Sequence, residues 1–243
     1  MQWRDEGLVI GVRRHGEASV ILELMTKAHG RHLGLVRGGS GRAMRAVLQP
    51  GNQVDALWRA RLDHQLGSYT VEPLQSRAAR LIDHDFALHG VGFLSALLRL
   101  LPERDPNGEL FEMARLIADR LDAVDQAPAL LARFEIAMLG AMGFGLDLDA
   151  CVLTGSRDDL AYVSPKSGRA VSRDAGEPWR DRLLAYPAFL RDDGLGRPDA
   201  TELTAAFKLT GHFLTRDVFT PRGVPMPPAR GHYLIAVAGQ AAA

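Results

Sequence analysis

The hydrophobic period changes once along this chain, and that change constrains the fold more than any other feature. Up to about residue 75 the apolar residues come in short runs. "GLVIGVRR" (7–14), "SVILELMT" (19–26), "RHLGLVRG" (31–38), "QVDALWRARL" (53–62) and "LGSYTVEPL" (66–74) are rich in Val, Ile, Leu, Thr, Tyr and Trp. Polar residues alternate through parts of these runs, and "HGE", "KAHG", "GGSG" and "QPGN" separate them with turn chemistry. From about residue 76 the spacing becomes helical: Leu94, Leu97, Leu98 and Leu101 recur at i, i+3, i+4 and i+7. Asp105 with Pro106 predicts a second helix start, and Phe111, Ala114, Ile117 and Leu121 continue its face. A third helix follows Pro128, carries Leu131, Phe134, Met138 and Ala141, and closes at Gly143. Another opens at Asp199 with Glu202 as capping-box partner and buries Leu203, Phe207 and Leu214. Such stripes read as bundle core. The terminal "AGQAAA" is expected to fray.

This order predicts an α+β chain with two domains, 1–75 and 76–243. Five strands at this spacing suggest a small closed or nearly closed β-barrel. The five-stranded barrel that binds nucleic acid is the OB-fold, with a basic groove and interleaved aromatics. Trp58 and Tyr69 are the aromatics available, for groove or for core. Within the second domain, residues 151–176 form an insert with a hairpin pattern: "LAYVS", a "PKSG" turn, then "RAVS".

The formal net charge is zero, but it is unevenly placed. Residues 1–80 hold 12 basic and 7 acidic side chains; the remainder holds 17 and 22. Between Glu23 and Asp55 there is no carboxylate, yet Lys27, Arg31, Arg37, Arg42 and Arg45 fall there. A basic module on a neutral protein is the electrostatic footprint of a polyanion partner. A solvated basic face is the plainer alternative. One cysteine excludes an internal disulfide framework. The N-terminal segment has neither the secretory nor the transit pattern, and no run approaches the ~18 apolar residues of a membrane span. A cytoplasmic protein is expected.

Enzymatic signatures are missing. "GGSGRA" lacks the lysine and spacing of a Walker loop, and no dinucleotide fingerprint or nucleophile elbow is present. Cys151 has no histidine partner between His89 and His212. Asp83, His84 and Asp85 read as a solvated helix start, with a hydrolase using His84 a distant alternative. At zinc-knuckle spacing the insert would offer Cys151, Thr154, Ser172 and Ala175. One thiol cannot supply four soft ligands, so neither metal nor cofactor is expected.

The segment "GLVIGVRRHGEASVILELMTKAHGRHLGLVRGGSGRA", with "LQPGNQVDALW" after it, resembles the N-terminal signature of the RecO family of bacterial recombinational-repair proteins. "RFEIAMLGAMGFGLDLDAC" resembles that family's helix leading into a zinc ribbon, and "YVSPKSGRAVS" the ribbon hairpin. Many relatives have two C-x-x-C knuckles there; this chain keeps only Cys151, which implies a degenerate, metal-free ribbon held by Tyr162, Val163 and Val171. The resemblance implies an N-terminal OB-fold and a helical domain around the ribbon. It implies a nucleoid-associated, non-enzymatic mediator of DNA repair and recombination that binds single- and double-stranded DNA and anneals complementary strands. It also implies work with RecR and RecF, contact with the SSB C-terminal tail, and loading of RecA on SSB-coated DNA. An RNA-binding or translation-associated OB-fold protein would share the basic barrel.

On that reading the acid-free stretch is a basic rim. Arg13, Arg14, Lys27, Arg31, Arg37, Arg42 and Arg45 are the first candidates for phosphate contact, with Arg59 and Arg61 behind them. Strand alternation predicts one face for Arg59 and Arg61. His32 is read as a satisfied surface histidine. For an acidic tail with an aromatic end, the third helix offers Arg133 beside Phe134 and Met138.

Overall fold

A computed structural model describes residues 1–191 and 197–241. The chain opens with β1 (Gln2–His15), β2 (Ser19–Thr26), β3 (Gly30–Val36), the short helix α1 (Arg42–Val47), β4 (Gln53–Arg59) and β5 (Ser68–Gln75). Then come α2 (Ala78–Leu81), α3 (Asp85–Leu98), α4 (Gly108–Arg120) and α5 (Ala127–Ala141). The remainder is β6 (Leu160–Val163), β7 (Ala170–Ser172), α6 (Arg173–Gly176), β8 (Leu184–Ala185), α7 (Ala200–Phe213), a π-helical turn at Leu214–Phe219, and α8 (Pro228–Ala241). Two compact units result. The first is Met1–Asp122 with Ala229–Ala236; the second is Ala123–Pro228 with the residues from Val237 onward.

In the first unit, alternation sorts the strands as their pleat requires. β3 is buried at every second residue. Val9, Val20, Leu22, Leu24, Val36, Val54, Ala56, Trp58, Tyr69 and Val71 meet in one core with Leu48. Trp58 and Tyr69 therefore belong to the core, not to a groove. The Trp58 indole Nε1 donates to the Leu66 carbonyl at 3.0 Å, which satisfies its one polar atom.

The expected five strands follow one another in a closed ring, β1-β2-β3-β5-β4, but its seams are unequal. Neighbours run β2 to β1 to β4 to β5 on one side and β2 to β3 on the other, each pair joined by an antiparallel ladder. The seam that completes the ring, β3 against β5, is a single parallel pair, Leu35 with Ser68. With the Leu35 N–H to Gly67 carbonyl bond at 3.1 Å beside it, this is the shortest seam of the ring. The reason lies in the connection between α3 and α4, which occupies the rest of that β3 edge. Glu103 bridges to Arg31 in parallel, and Arg104 N–H donates to the Arg31 carbonyl at 2.8 Å. The fit demands glycine at residue 30: its φ is +64°, and a Cβ there would lie 2.1 Å from the Asp105 carbonyl oxygen.

β1 is longer than its apolar run and is bent. Gly7 and Leu8 pair with β4 as well as with β2, but beyond Leu8 the β4 ladder ends. A β-bulge then inserts Ile10 between the Val9–Leu24 and Gly11–Glu23 pairs. From Gly11 to His15 the strand pairs only with β2, and its residues from Val12 to the turn are exposed.

In the first unit α3 starts at Asp85 behind exposed Asp83 and His84, as the solvated-start reading expects. α4 is capped by Asn107, whose side chain accepts from Leu110 N–H, rather than by Asp105. In the second unit, α7 carries the expected Asp199–Glu202 capping box. Its Thr210 hydroxyl donates to Glu135 of α5 at 2.6 Å. The insert differs from expectation in gaining a third strand, in the order β7-β6-β8. The terminal segment is helical through Ala241, not frayed; Ala242 and Ala243 lie outside the described residues.

Candidate nucleic-acid interface

The basic side chains of the first 80 residues divide into two populations. Arg4 pairs with Asp55, Lys27 with Glu112, Arg31 with Glu23, Arg77 with Asp119 and Arg80 with Asp122. These charges are answered within the protein. Among the described residues the other seven form no ion pair and are exposed: Arg59 and Arg61, and the five at Arg13, Arg14, Arg37, Arg42 and Arg45.

The fold brings those five to one end of the strand unit. Arg14 stands opposite Val20 of β2, and Val20 opposite Val36 of β3, so Arg37 follows directly at the end of that row. The loop after it turns back onto the β1–β2 turn. Ser40 N–H donates to the Ala18 carbonyl at 3.2 Å and Ser40 Oγ to the Glu17 carbonyl at 3.3 Å. Gly39 permits this approach, since a Cβ there would lie 2.5 Å from a Val20 methyl. α1 then begins with Arg42. Arg14 and Arg45 line one cleft of about 520 Å³ with Val12, Gly39, Ser40 and Gln49. Arg13 points to the other face of β1, as alternation requires, into a cleft shared with Ile21, Glu23 and Arg99. Glu17, in the turn, is the nearest acid along the chain.

The remaining candidates lie elsewhere. Lys27 and Arg31 are tied to carboxylates, and Arg31 is largely buried. Arg59 pairs across the sheet with Gln2, at the opposite end of β1 from Arg14, and donates to its side chain at 3.1 Å. Arg61 lies beyond the end of β4, so strand alternation does not reach it. His32 is buried, not a surface residue. Its Nδ1 lies 3.0 Å from the Leu33 carbonyl and 3.1 Å from the Tyr69 hydroxyl. Burial, and then the charge of Arg104, lowers its pKa to about 4.

In the second unit Phe134 and Met138 are fully buried in the α5 core, so they form no surface groove. Only Arg133 of that trio reaches the surface, and its guanidinium donates to the Phe189 carbonyl and lies 6.0 Å from the Phe189 ring centroid. The insert does not suit zinc. The Cys151 thiol accepts from Ser172 Oγ at 3.4 Å, hydroxyls standing where soft ligands would be needed. Among the described residues no cluster of three His, Cys, Asp or Glu side chains could hold a metal ion. No helix among them is long and apolar enough to cross a membrane.

Sequence reasoning missed Gly39, Ser40 and Gln49 as cleft-lining residues, and it missed Arg99. The glycine-serine loop was a visible signal for the first two. Nothing local marks Arg99, which reaches β1 from 89 residues away.

Comparison with known proteins gives a consistent result along the whole chain. Residues 1–77 match the family described as "Recombination protein O N terminal", and residues 86–224 match "Recombination protein O C terminal". The "DNA repair protein RecO" of Methylocella silvestris is 61% identical over 235 residues, covering 96% of this chain and 95% of that protein. The protein of that name from Methylorubrum populi is 57% identical over 245 residues, covering 99% of this chain and all of its own. That of Rhizobium etli is 56% identical over 234 residues, covering 96% and 91%.

Proposed function

The chain belongs to the recombination protein O family, and from that membership we propose how it acts as a mediator of DNA repair and recombination. It is a non-catalytic member of that machinery. It binds single- and double-stranded DNA through phosphates, anneals complementary strands, and works with RecR and RecF to load RecA on SSB-coated single strands in the cytoplasm, at the nucleoid. Arg13, Arg14, Arg37, Arg42 and Arg45 carry the phosphate contacts, Arg59 and Arg61 contribute at a second rank, and the strand-rich segment 1–75 is the DNA-binding part. The SSB tail is received on the second unit, with Arg133 as its cationic contact. The ribbon is a metal-free descendant of a zinc-binding one, with Cys151 the remaining knuckle thiol.

One observation carries the DNA reading: five arginines without carboxylate partners gather at one end of the strand unit, while Arg4, Lys27, Arg31, Arg77 and Arg80 are each paired with a carboxylate of the protein itself. A guanidinium without an internal partner keeps its full charge for a phosphate, and each contact releases condensed counterions. Two single strands repel through their phosphates. A polycationic surface lowers that repulsion, so annealing needs no chemical step.

The test is fluorescence anisotropy of a labelled single-stranded oligonucleotide at several salt concentrations, beside an RNA of the same sequence. Steeply salt-dependent DNA binding with no gain for RNA is expected. Replacing Arg37, Arg42 and Arg45 together with Ala should flatten the salt slope by roughly one unit per lost phosphate contact. An unchanged slope in that variant would remove this surface from the mechanism.

A further inference from the structure

The bulge in β1 leaves an unusual gap, and a side chain from the helical part of the same unit fills it. Ile10 is the inserted residue, so its backbone has no regular partner on β2. Its carbonyl instead accepts from Arg99 Nη2 at 2.7 Å. Arg99 follows the last turn of α3, and its Nε donates to Glu23 of β2 at 2.7 Å. The other Glu23 oxygen is held by Arg31 Nη1 at 2.8 Å. One planar fork thus joins the bulged carbonyl of β1 to a β2 carboxylate that is itself fixed from β3.

Gly11 makes room for this fork. A Cβ at residue 11 would lie 2.0 Å from Arg99 Nη2 and 2.8 Å from a Glu23 oxygen. The backbone of Gly11 has ordinary negative φ, because it is not among the glycines with positive φ. Its missing side chain serves space, not conformation.

Two and three residues beyond Gly11 stand Arg13 and Arg14. Past Val9, whose N–H and carbonyl still bond Asn52 and Gly51, the strand pairs only with β2, and the bulge sets its course. A bulge bends its strand and re-aims the side chains that follow.

We infer that Arg99 and Gly11 are positioning residues for the DNA surface: the Arg99 fork, seated over Gly11, fixes the β1 bulge and so the aim of Arg13 and Arg14. Arg99 need not touch DNA for this: its Nε and Nη2 are held by Glu23 and Ile10. This inference rests on the DNA-binding reading above.

Gly11→Ala gives the decisive test because it changes no charge. Its Cβ meets the far end of a flexible side chain, so it evicts the guanidinium while the backbone can stay. The whole protein, Gly11→Ala, Arg99→Ala and Arg99→Lys are titrated against a labelled single-stranded oligonucleotide at several salt concentrations, with a thermal melt of each. Val91→Ala, a core truncation in α3, controls for lost stability alone. The expected result is that Gly11→Ala and both Arg99 variants lose roughly tenfold in affinity and about one unit or more of salt slope, while Val91→Ala binds as the parent does. A slope loss in Arg99→Ala with parental binding by Gly11→Ala and Arg99→Lys would make Arg99 a plain phosphate contact and overturn the inference. Parental binding by all variants would overturn it too. Should Gly11→Ala not fold, Arg99→Lys decides alone, since it keeps the charge and loses the fork. No salt-dependent binding by the parent would instead remove the DNA reading itself, and this inference with it.

Discussion

Arg77 Nε donates to Asp119 Oδ1 at 2.7 Å, from a guanidinium that is only 1% exposed. The same fork reaches the side-chain carbonyls of Gln53 and Gln75, at 3.1 and 2.7 Å. Asn52 Oδ1 accepts from the Arg77 and Ala78 N–H groups. One buried cation therefore ties β4, β5 and α2 to α4. Breaking such a group from one side leaves desolvated partners with nothing to bind. Arg77→Met should cost about 3 kcal/mol or more in urea denaturation. A loss below about 1 kcal/mol would mean the network relaxes around the gap.

His32 should make the strand unit acid-sensitive. Its pKa is lowered to about 4 by burial and then by Arg104, against about 6.5 in an unfolded chain. Between those values the unfolded chain binds the proton and the folded one does not. The imidazole's contribution is thus full above about pH 6.5 and is lost as pH falls towards 4, by on the order of 3 kcal/mol at the bottom of the window. Urea midpoints measured down that range should fall, and His32→Gln should remove that part of the slope. Parallel pH profiles for the two chains would contradict the assignment.

Tyr233 on α8 is fully buried, packs on Phe93, and has a hydroxyl with no hydrogen-bond partner among the described residues. A buried hydroxyl without a partner costs roughly 1–3 kcal/mol. Tyr233→Phe should therefore leave stability unchanged or raise it, by up to about 1 kcal/mol in a thermal melt. A clear drop in melting temperature would show that the hydroxyl is satisfied in solution.

Lys27 and the Arg14–Arg45 pair separate charge that is spent from charge that is available. The Lys27 ammonium lies 2.8 Å from Glu112, which raises its pKa through a hydrogen bond and then through charge. Lys27→Ala should leave the salt slope for DNA within error. Removing Arg14 and Arg45 together should lower it by about two units. Equal effects would mean that internal ion pairs do not predict which cations meet phosphate.

Local pattern made part of this fold legible. β2 begins and ends where the apolar run does, and α7 opens at the Asp199–Glu202 box, because alternation and capping act within a few residues. The unequal charge of the two ends of the chain likewise pointed to the segment that holds Arg13, Arg14, Arg37, Arg42 and Arg45. What stayed illegible was set by distant partners. α1 lies inside a stretch that reads as a glycine-rich loop and buries none of its residues, so no apolar stripe announces it. His32 was expected at the surface as a polar residue in a basic stretch, yet β3's alternation turns it inward against Tyr69. Which cations stay unpaired depended on acids as far off as Glu112 for Lys27, 85 residues along the chain. The β3 edge was beyond any local rule, because its occupant, Glu103–Arg104, belongs to a connection between helices.

That connection acts as a guard on β3. An uncovered strand edge is a template for strands of other molecules. Trimming the chain after residue 75 would strip Glu103 and Arg104 from β3, Arg99 from the bulge, and Arg77 from Gln53 and Gln75 in one cut. The fragment would keep β1 to β5 and Arg13, Arg14, Arg37, Arg42 and Arg45. It would also present a bare edge to its copies, so β1 to β5 are expected to precipitate as a free module and to remain soluble only while the helices are attached.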